Sequence, residues 1–491
     1  MVQFDGALIL ELTNIKDKTT LQTTHPRPLG VFGLHEVFVK RDIPSTVINW
    51  VDFWDHKELL DSILLWCVKH AVRRPLVLCS TLFNEVIFED NATVTKVLTE
   101  LKEHIDITVA VGGPNNNFVF NNFKPDVMFL GRTLHLFEHW IDGLPIKVGN
   151  CLHNEKDIPV YRPIGKEIVE MPIVSKLYDD YCLMPTDVLS FETRLGCKFN
   201  CTFCAFPYRD AKDTQDSTPE SLYNFFTSAK EYGITNFSCV DDTFNEDDTK
   251  IKTLLSVVEK LDYKPYIVGF TRFDILTHKP KQLEWLDKCG FHCHYFGTET
   301  FHPEASKRIR KRLNKEKAFN MFEHIKEHYP HWWTCASYIT GLPMEPIEHC
   351  IATINEMRER KLVNSMAILP LAITHLPGDD DHASLMAKDP GKFGISVTGR
   401  NAKQDATLSG RQGDYEGLAT KEEEICFDWS HEHCNEKTAI LMAEKMASKN
   451  MRKGLTNKPP WNYISERARG NVTGIEHINN YIAKKKSQML G

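Results

Sequence analysis

A chain of 491 residues, 42% hydrophobic and 25% charged, has the make-up of a globular protein of two or three domains, and no apolar run approaches the ~20 residues a membrane helix needs. The net charge of −7 argues against a broad nucleic-acid surface, and fourteen cysteines scattered along so long a chain point to reduced thiols in a cytoplasmic protein rather than to the disulfide framework of a small secreted domain. The opening MVQFDGALILELTN has no basic n-region and no small-residue cleavage site, so residues 7–12 read as a core strand and not as a signal peptide.

Short apolar runs ending in Gly, Ser, Thr or polar residues follow at 6–12, 45–53, 75–81, 106–113 and 126–131, the pattern of buried parallel strands. Helical periodicity lies between them, as in HKELLDSILLWCVKHA (56–71) and NATVTKVLTELKEH (91–104). Together they predict a doubly wound, Rossmann-type α/β domain of five strands over 1–145. A less regular link, 146–185, leads into a second series with strands at 188–193, 236–241, 265–271, 292–298, 335–340 and 366–371, separated by helices such as 218–233 and 247–261. Six βα units in a row predict a partial (β/α)6 barrel over 186–375, with its active site where the strands end. The remainder, 376–491, is rich in Gly, Asp and Lys before a helix at about 435–449, and reads as a loop and helical extension capping the barrel mouth. The basic run KRIRKRLNKEK, 307–317, reads as a solvated helix face, with an anion or substrate contact as the alternative.

The stretch ETRLGCKFNCTFCAFP puts Cys197, Cys201 and Cys204 within eight residues, directly after the first barrel strand. A structural zinc site wants four ligands, and so does a four-cysteine iron–sulfur carrier, but no matching pair lies nearby. Three thiolates on one tight loop can hold three irons of a [4Fe–4S] cluster and leave the fourth open to a ligand with its own donor atoms. Structural zinc and unrelated packing cysteines are the competing readings.

CxxxCxxC after a barrel strand resembles the radical S-adenosylmethionine (SAM) superfamily. The resemblance implies that the methionyl amine and carboxylate of SAM chelate the open iron. It further implies that one electron cleaves the sulfonium and that the resulting 5′-deoxyadenosyl radical takes a hydrogen atom from substrate. It also implies an electron donor such as flavodoxin or ferredoxin. Several residues match the family's strand-end motifs. Phe203, just before the last cysteine, matches the position that packs near the adenine. Asp241 or Asp242, in FSCVDDTFNEDD, would approach the SAM amine, and Arg272, in VGFTRFD, would meet the SAM carboxylate as a bidentate partner. Glu299, in HYFGTETFHPE, would lie against the ribose hydroxyls. Gly341 belongs to ASYITGLPMEP, which resembles the G-x-I-x-G-L-P segment near the adenine, with Ser337 in place of its first Gly.

The front of the chain is similar to the cobalamin-binding domain that precedes many radical SAM enzymes, through HEVFVKRDIPSTVINWVDF, LVLCSTLFN and VAVGGPNNNFVFNNFKPDVMFLGR. That resemblance places a corrin over the loops at Ser80–Thr81 and Gly112–Gly113–Pro114, where small residues let a flat ring approach the backbone. There is no D-x-H-x-x-G motif, so no histidine is expected below the cobalt, and His35 reads as an ordinary helix residue. Gly131-Arg132-Thr133 replaces the usual Gly-Glu-Gly. Retention of the ring and a domain that keeps only the fold are both open. The favoured function is a methyltransferase moving a methyl group from cobalamin to an unactivated carbon; the alternatives are a cobalamin-independent radical oxidation, cyclisation or rearrangement, and a non-enzymatic iron–sulfur redox sensor. In the tail, the spacing of His431, His433 and Cys434 fits no common metal-ligand set, while Trp429 and His431 are candidates to line a substrate pocket.

Overall fold

A strand such as GALILEL, apolar on both faces, is stable only when helices cover both sides of its sheet, and this requirement organises the front of the protein. The structure, a computed structural model, describes residues 4–12, 26–81, 86–88, 92–113, 118–120, 123–131, 133–146, 151–153, 158–161, 176–204, 215–373, 384–400, 427–452 and 459–491. They fall into two units: the first comprises residues up to 189, 224–234 and 465–491, the second 190–223 and 235–464.

In the first unit the strands are β1 (Gly6–Leu12), β2 (Ser45–Ile48), β3 (Pro75–Thr81), β4 (Val86–Phe88), β5 (Thr108–Gly113), β6 (Phe118–Phe120), β7 (Val127–Leu130), β8 (Cys151–His153) and β9 (Pro159–Tyr161). Seven of them form one sheet in the order β2-β1-β3-β5-β7-β9-β8, and β4 pairs with β6 separately. The large sheet is parallel except for β8, which runs antiparallel to β9. All seven residues of β1 are buried. The expected link therefore supplies two further strands to the sheet. The apolar run 45–53 does not continue as a strand, because Trp50 adopts a left-handed backbone (φ 52°) and a 3-10 turn follows at Val51–Phe53.

The helix Gly474–Leu490 also belongs to this unit. It opens with a capping box, Thr473 Oγ1 accepting from Glu476 N while Glu476 accepts from Thr473 N at 2.8 Å. Its Ile478, Tyr481, Ile482 and Met489 enter the same core as Trp50, Trp54 and Trp66, each large apolar side chain contributing ~1.5–3 kcal/mol on burial. Polar ties fasten the inner face: Asn49 N donates to Tyr481 Oη at 2.8 Å, His477 meets Asp187 at 3.1 Å, and Lys485 Nζ reaches Asp180 O at 2.7 Å. The tail is thus divided between the two units rather than forming one cap.

The boundary at residue 189 falls within β10 (Val188–Phe191), and the second unit holds β11 (Arg194–Leu195), β12 (Gln215–Asp216), β13 (Asn236–Cys239), β14 (Tyr266–Arg272), β15 (Phe291–Glu299), β16 (Trp333–Thr340) and β17 (Ser365–Pro370). Six form a sheet in sequential order, β10-β13-β14-β15-β16-β17, parallel from β13 through β17. Sequential order in a parallel sheet brings every carboxyl end to one edge, as in a partial barrel. From the tail, β18 (Ser396–Arg400), β19 (Phe427–His431) and β20 (Cys434–Asn435) form a small antiparallel sheet, followed by the helix Glu436–Arg452. Met386, Phe393, Ile395, Trp429 and Ala439 from this region share a core with Ile339, Leu342, Leu371 and Ile373 beside the ends of β16 and β17.

Candidate active site

From the end of β10 the chain turns through Thr193–Gly196 into the cysteine loop, and a buried ionic network sets this exit. Asp241, fully buried after β13, accepts from Thr193 N at 2.7 Å, from Arg194 N at 3.3 Å and from Thr193 Oγ1, and pairs with Lys250 Nζ at 2.6 Å. Burial works against the Lys250 charge, but Asp241 and Glu246 more than offset it. Four donors occupy the four acceptor directions of a carboxylate. Asp241 is therefore a strut of the loop and not a contact for a ligand amine, which leaves half-buried Asp242 as the candidate of the pair. Arg194 adds ion pairs to Asp216, Asp247 and, at 2.8 Å, Glu246. Farther along the loop, Thr202 Oγ1 donates to Arg308 O at 3.2 Å, Met386 N donates to Thr202 O at 2.8 Å, and Arg310 Nη1 donates to Asn200 O at 3.2 Å.

On this scaffold Cys201 is buried and Cys197 and Cys204 are half-buried. Arg272, at the end of β14, donates from Nη1 to Cys201 Sγ at 3.2 Å and lies 3.8 Å over the Phe199 ring. Its Nε and Nη2 edge is engaged by Asp274 at 3.0 and 2.7 Å. The fork expected to hold the SAM carboxylate is thus already paired, and the guanidinium serves a sulfur. Burial opposes the Arg272 charge, and Asp274 and Cys201 outweigh it. Burial pushes the Cys197 thiol up. Soft donors on one loop beside a cation suit an iron–sulfur cluster with one iron left open. By contrast Cys239, Cys293 and Cys335 are core thiols, the last pushed up to about 12 by burial.

Glu299 ends β15 in a left-handed conformation, φ 64°, just where the register with β16 shifts. A non-glycine residue held there costs ~1–3 kcal/mol and persists only when its surroundings hold it. Ser337 Oγ lies 2.9 Å from Glu299 Oε2, and Lys311 Nζ lies 3.4 Å from Oε1 and donates to Gly297 O at 3.2 Å. The serine that replaces the family's glycine thus grips the carboxylate. Lys311 corrects the reading of KRIRKRLNKEK as one solvated helix. The helix Pro303–Arg308 ends, Arg310 and Arg312 turn left-handed, and a new helix begins at Lys315. Ser306 O accepts from Lys311 N and Arg312 N, and Ser306 Oγ accepts from Leu313 N at 2.7 Å. This turns Lys311 inward while Arg310 and Arg312 stay exposed. The available sequence signal was Asn314, whose side chain caps the second helix through Lys317 N.

Gly341 is held by close packing against the tail. Its φ is 80°, and a Cβ there would stand 2.7 Å from Trp429 Cη2 and 2.8 Å from Ala439 Cβ. Its carbonyl accepts from His431 Nε2 at 3.0 Å, and His431 stacks on the fully buried Trp429. Trp429 and His431 therefore back the loop after β16, and Gly341 is the close-packing point between them. His433 N donates to His431 Nδ1 at 3.2 Å and Cys434 Sγ contacts Asn435 O, so these residues build a turn. Phe203 packs against the core around Leu342, Leu371 and Trp429.

In the first unit the candidate corrin residues share one sheet edge. Ser80 is in register with Gly112 and with Glu11, Thr81 with Leu12, Gly112 with Phe129 and Gly113 with Leu130. A Cβ on Gly112 would come 3.2 Å from Phe129 O, which favours glycine at this edge. Pro114 lies outside the described residues. Sequence reasoning missed Glu11, which is buried at the end of β1, accepts from Asn49 Nδ2, and has a carboxyl pushed up to about 7 by burial. His35 is a core residue of the helix Leu29–Val39, 3.1 Å from Tyr181 Oη.

Residues 192–357 match the Radical SAM superfamily. Over 202 residues the chain is 22% identical to tRNA-2-methylthio-N(6)-dimethylallyladenosine synthase of Clostridium botulinum (strain Eklund 17B / Type B), a match covering 40% of this chain and 44% of that protein. The chain thus spans less than half the length of the curated relatives it matches. Among solved structures, the radical SAM methyltransferase TsrM from Kitasatospora setae, with cobalamin and a [4Fe-4S] cluster bound, superposes with a TM-score of 0.59 at 13% identity, covering 98% of this chain and 99% of its own. The cobalamin-dependent SAM radical enzyme OxsB, with aqua-cobalamin bound, gives a TM-score of 0.55 at 12% identity, covering 99% and 80%. At these identities the likeness is one of fold. The chain carries a radical SAM domain over residues 192–357, within a chain-length fold that it shares with cobalamin-dependent radical SAM enzymes.

Proposed function

We propose that the protein is a radical SAM enzyme that transfers a methyl group to an unactivated carbon, with a [4Fe–4S] cluster on Cys197, Cys201 and Cys204 and cobalamin over the ends of β3 and β5. The observation that carries this reading is the three-thiol loop at the end of β10, inside the radical SAM domain, in a chain whose fold follows TsrM along 98% of its length. When bound, the cluster supplies the electron that cleaves SAM to the 5′-deoxyadenosyl radical, and the corrin supplies the methyl group.

The protein's own part is placement. Asp241 and Lys250 hold the exit of β10, Arg272 balances the charge on Cys201, and Ser337 and Lys311 aim Glu299 at the ribose hydroxyls. Asp242 is the acceptor for the SAM amine and Phe203 the apolar contact for the adenine. Ser80, Thr81, Gly112 and Gly113 form a floor of small residues for the ring, with no histidine below the cobalt. A flavodoxin- or ferredoxin-type donor in the cytoplasm fits the free thiols of the twelve cysteines whose side chains are described, and the acidic net charge fits a substrate other than nucleic acid. No described helix is long and apolar enough to cross a membrane.

Two anaerobic measurements test the reading. Reduced protein incubated with SAM is expected to release 5′-deoxyadenosine; none would refute radical chemistry. Protein reconstituted with hydroxocobalamin is expected to keep about one corrin per chain through gel filtration, with a spectrum lacking a histidine–cobalt bond. Folded, cluster-loaded protein that keeps no corrin would instead favour a cobalamin-independent radical reaction.

A further inference from the structure

Three side chains that the proposed chemistry does not use converge at the other end of the barrel, where the strands begin. Asp287 lies near the end of the helix Lys281–Cys289, His292 near the start of β15, and His331 in the turn leading into β16. His331 Nε2 is 2.6 Å and His292 Nε2 is 3.5 Å from Asp287 Oδ1, and one donor atom from each residue lies within 4.8 Å of the others. The two imidazoles meet edge to face, with ring centroids 5.0 Å apart.

We propose that Asp287, His292 and His331 form a site for one divalent transition-metal ion of the zinc class. Two imidazoles and a carboxylate are borderline donors that suit zinc, nickel or cobalt. Metal–ligand bonds of ~2.0–2.1 Å put neighbouring ligand atoms ~3.3 Å apart in a tetrahedron, so the observed spacings call for side-chain shifts of about an ångström. His292 Nε2 is buried with no hydrogen-bond partner. In the ion-free site the contact between His331 and Asp287 is a hydrogen bond. An ion that binds His331 Nε2 takes the place of that hydrogen, and the metal-bound imidazole carries its one proton on Nδ1.

The surroundings define the rest of the site. Trp332 Nε1 donates to Asp287 Oδ1 at 2.9 Å and steadies the carboxylate from behind. Lys264 Nζ stands 3.9 Å from Oδ2; it is half exposed and free to swing into water when a cation arrives. His331 is also half exposed, which leaves an entry side and room for water as the fourth ligand. An ion held here would fasten three successive segments at the barrel base.

The test uses the full chain in two forms: with the cluster reconstituted, and as the cluster-free triple variant Cys197→Ala, Cys201→Ala, Cys204→Ala, which removes the competing thiols. Equilibrium dialysis against zinc chloride, read by metal analysis, is expected to give about one zinc per chain in both forms. His331→Gln and His292→Gln should each weaken zinc binding at least tenfold while leaving iron content and far-ultraviolet circular dichroism unchanged. Zinc should raise the melting temperature of the wild type but not of His331→Gln. His331 is on the surface, so that variant decides the matter even if His292→Gln folds poorly. Equal zinc binding by wild type and His331→Gln, or none by the triple cysteine variant, would overturn the proposal.

Discussion

Asp241→Asn separates a strut from a ligand contact. The amide keeps one carbonyl oxygen for Thr193 N and Arg194 N, but it turns an NH2 toward Thr193 Oγ1 and Lys250 Nζ, which are donors in the native network. Removing one partner of a buried ion pair costs ~3–5 kcal/mol. Lys250 keeps the Thr243 carbonyl at 2.8 Å and Glu246 at 3.5 Å, so the lower end applies, about 3 kcal/mol. In a unit of this size each kcal/mol moves the midpoint by ~2–4 °C, so the thermal transition of the barrel should fall by ~6–12 °C. Because Asp241 binds the two backbone amides that launch the cysteine loop, iron retained after reconstitution should fall as well. Scanning calorimetry of the cluster-free protein, beside iron analysis of the reconstituted protein, reads both. An unchanged midpoint and full iron, with only SAM binding weakened, would refute the argument and return Asp241 to the ligand.

Alanine at Cys197, Cys201 or Cys204 should abolish cluster iron, whereas Cys335→Ala should lower stability and leave iron intact; iron lost only from the Cys335 variant would contradict the assignment. Ser337→Ala should weaken SAM binding by ~10-fold or more, the loss of one hydrogen bond to a charged group at ~1.5–3 kcal/mol, and Lys311→Met should also weaken it, both with full iron and read by equilibrium binding; unchanged affinity would mean that Glu299 does not meet SAM. The first unit should also show a pH dependence from Glu11, whose pKa rises from 4.5 to about 7 on folding. Between those values the folded state holds a proton the unfolded chain has lost, so this group's contribution to stability falls as pH rises, by ~3 kcal/mol in total. Urea unfolding at pH 5 and 7.5 should show most of that difference, ~2.4 kcal/mol, in wild type and its loss in Glu11→Gln.

Much of this protein is legible locally. Strand runs such as GALILEL and ASYITGLP lie within a few residues of their structural bounds, since burial on both faces demands continuous apolar sequence and the turns carry their own residue signals. The cysteine spacing and its place after β10 are likewise properties of one short segment. The helix Gly474–Leu490 went unread although the Thr473–Glu476 capping box opens it, and nothing in its sequence says that Tyr481 meets Asn49 across more than four hundred residues.

What only tertiary structure decided is the role of each polar side chain at the barrel mouth. Asp241 and Asp242 are adjacent and chemically identical in sequence, yet Asp241 is fully buried against Lys250 and two backbone amides while Asp242 is only half-buried. Arg272 looks like a carboxylate clamp until Asp274, two residues on, takes its fork and leaves Nη1 for Cys201. Lys311 sits in a basic run that reads as solvent-exposed until two left-handed residues turn it onto Glu299. Secondary structure follows from periodicity and local propensity, which a sequence carries in order along the chain. The task of a charged group follows from which opposite charge or donor lies within ~4 Å in a poorly solvated interior, and that neighbour is supplied by chain folding from far away.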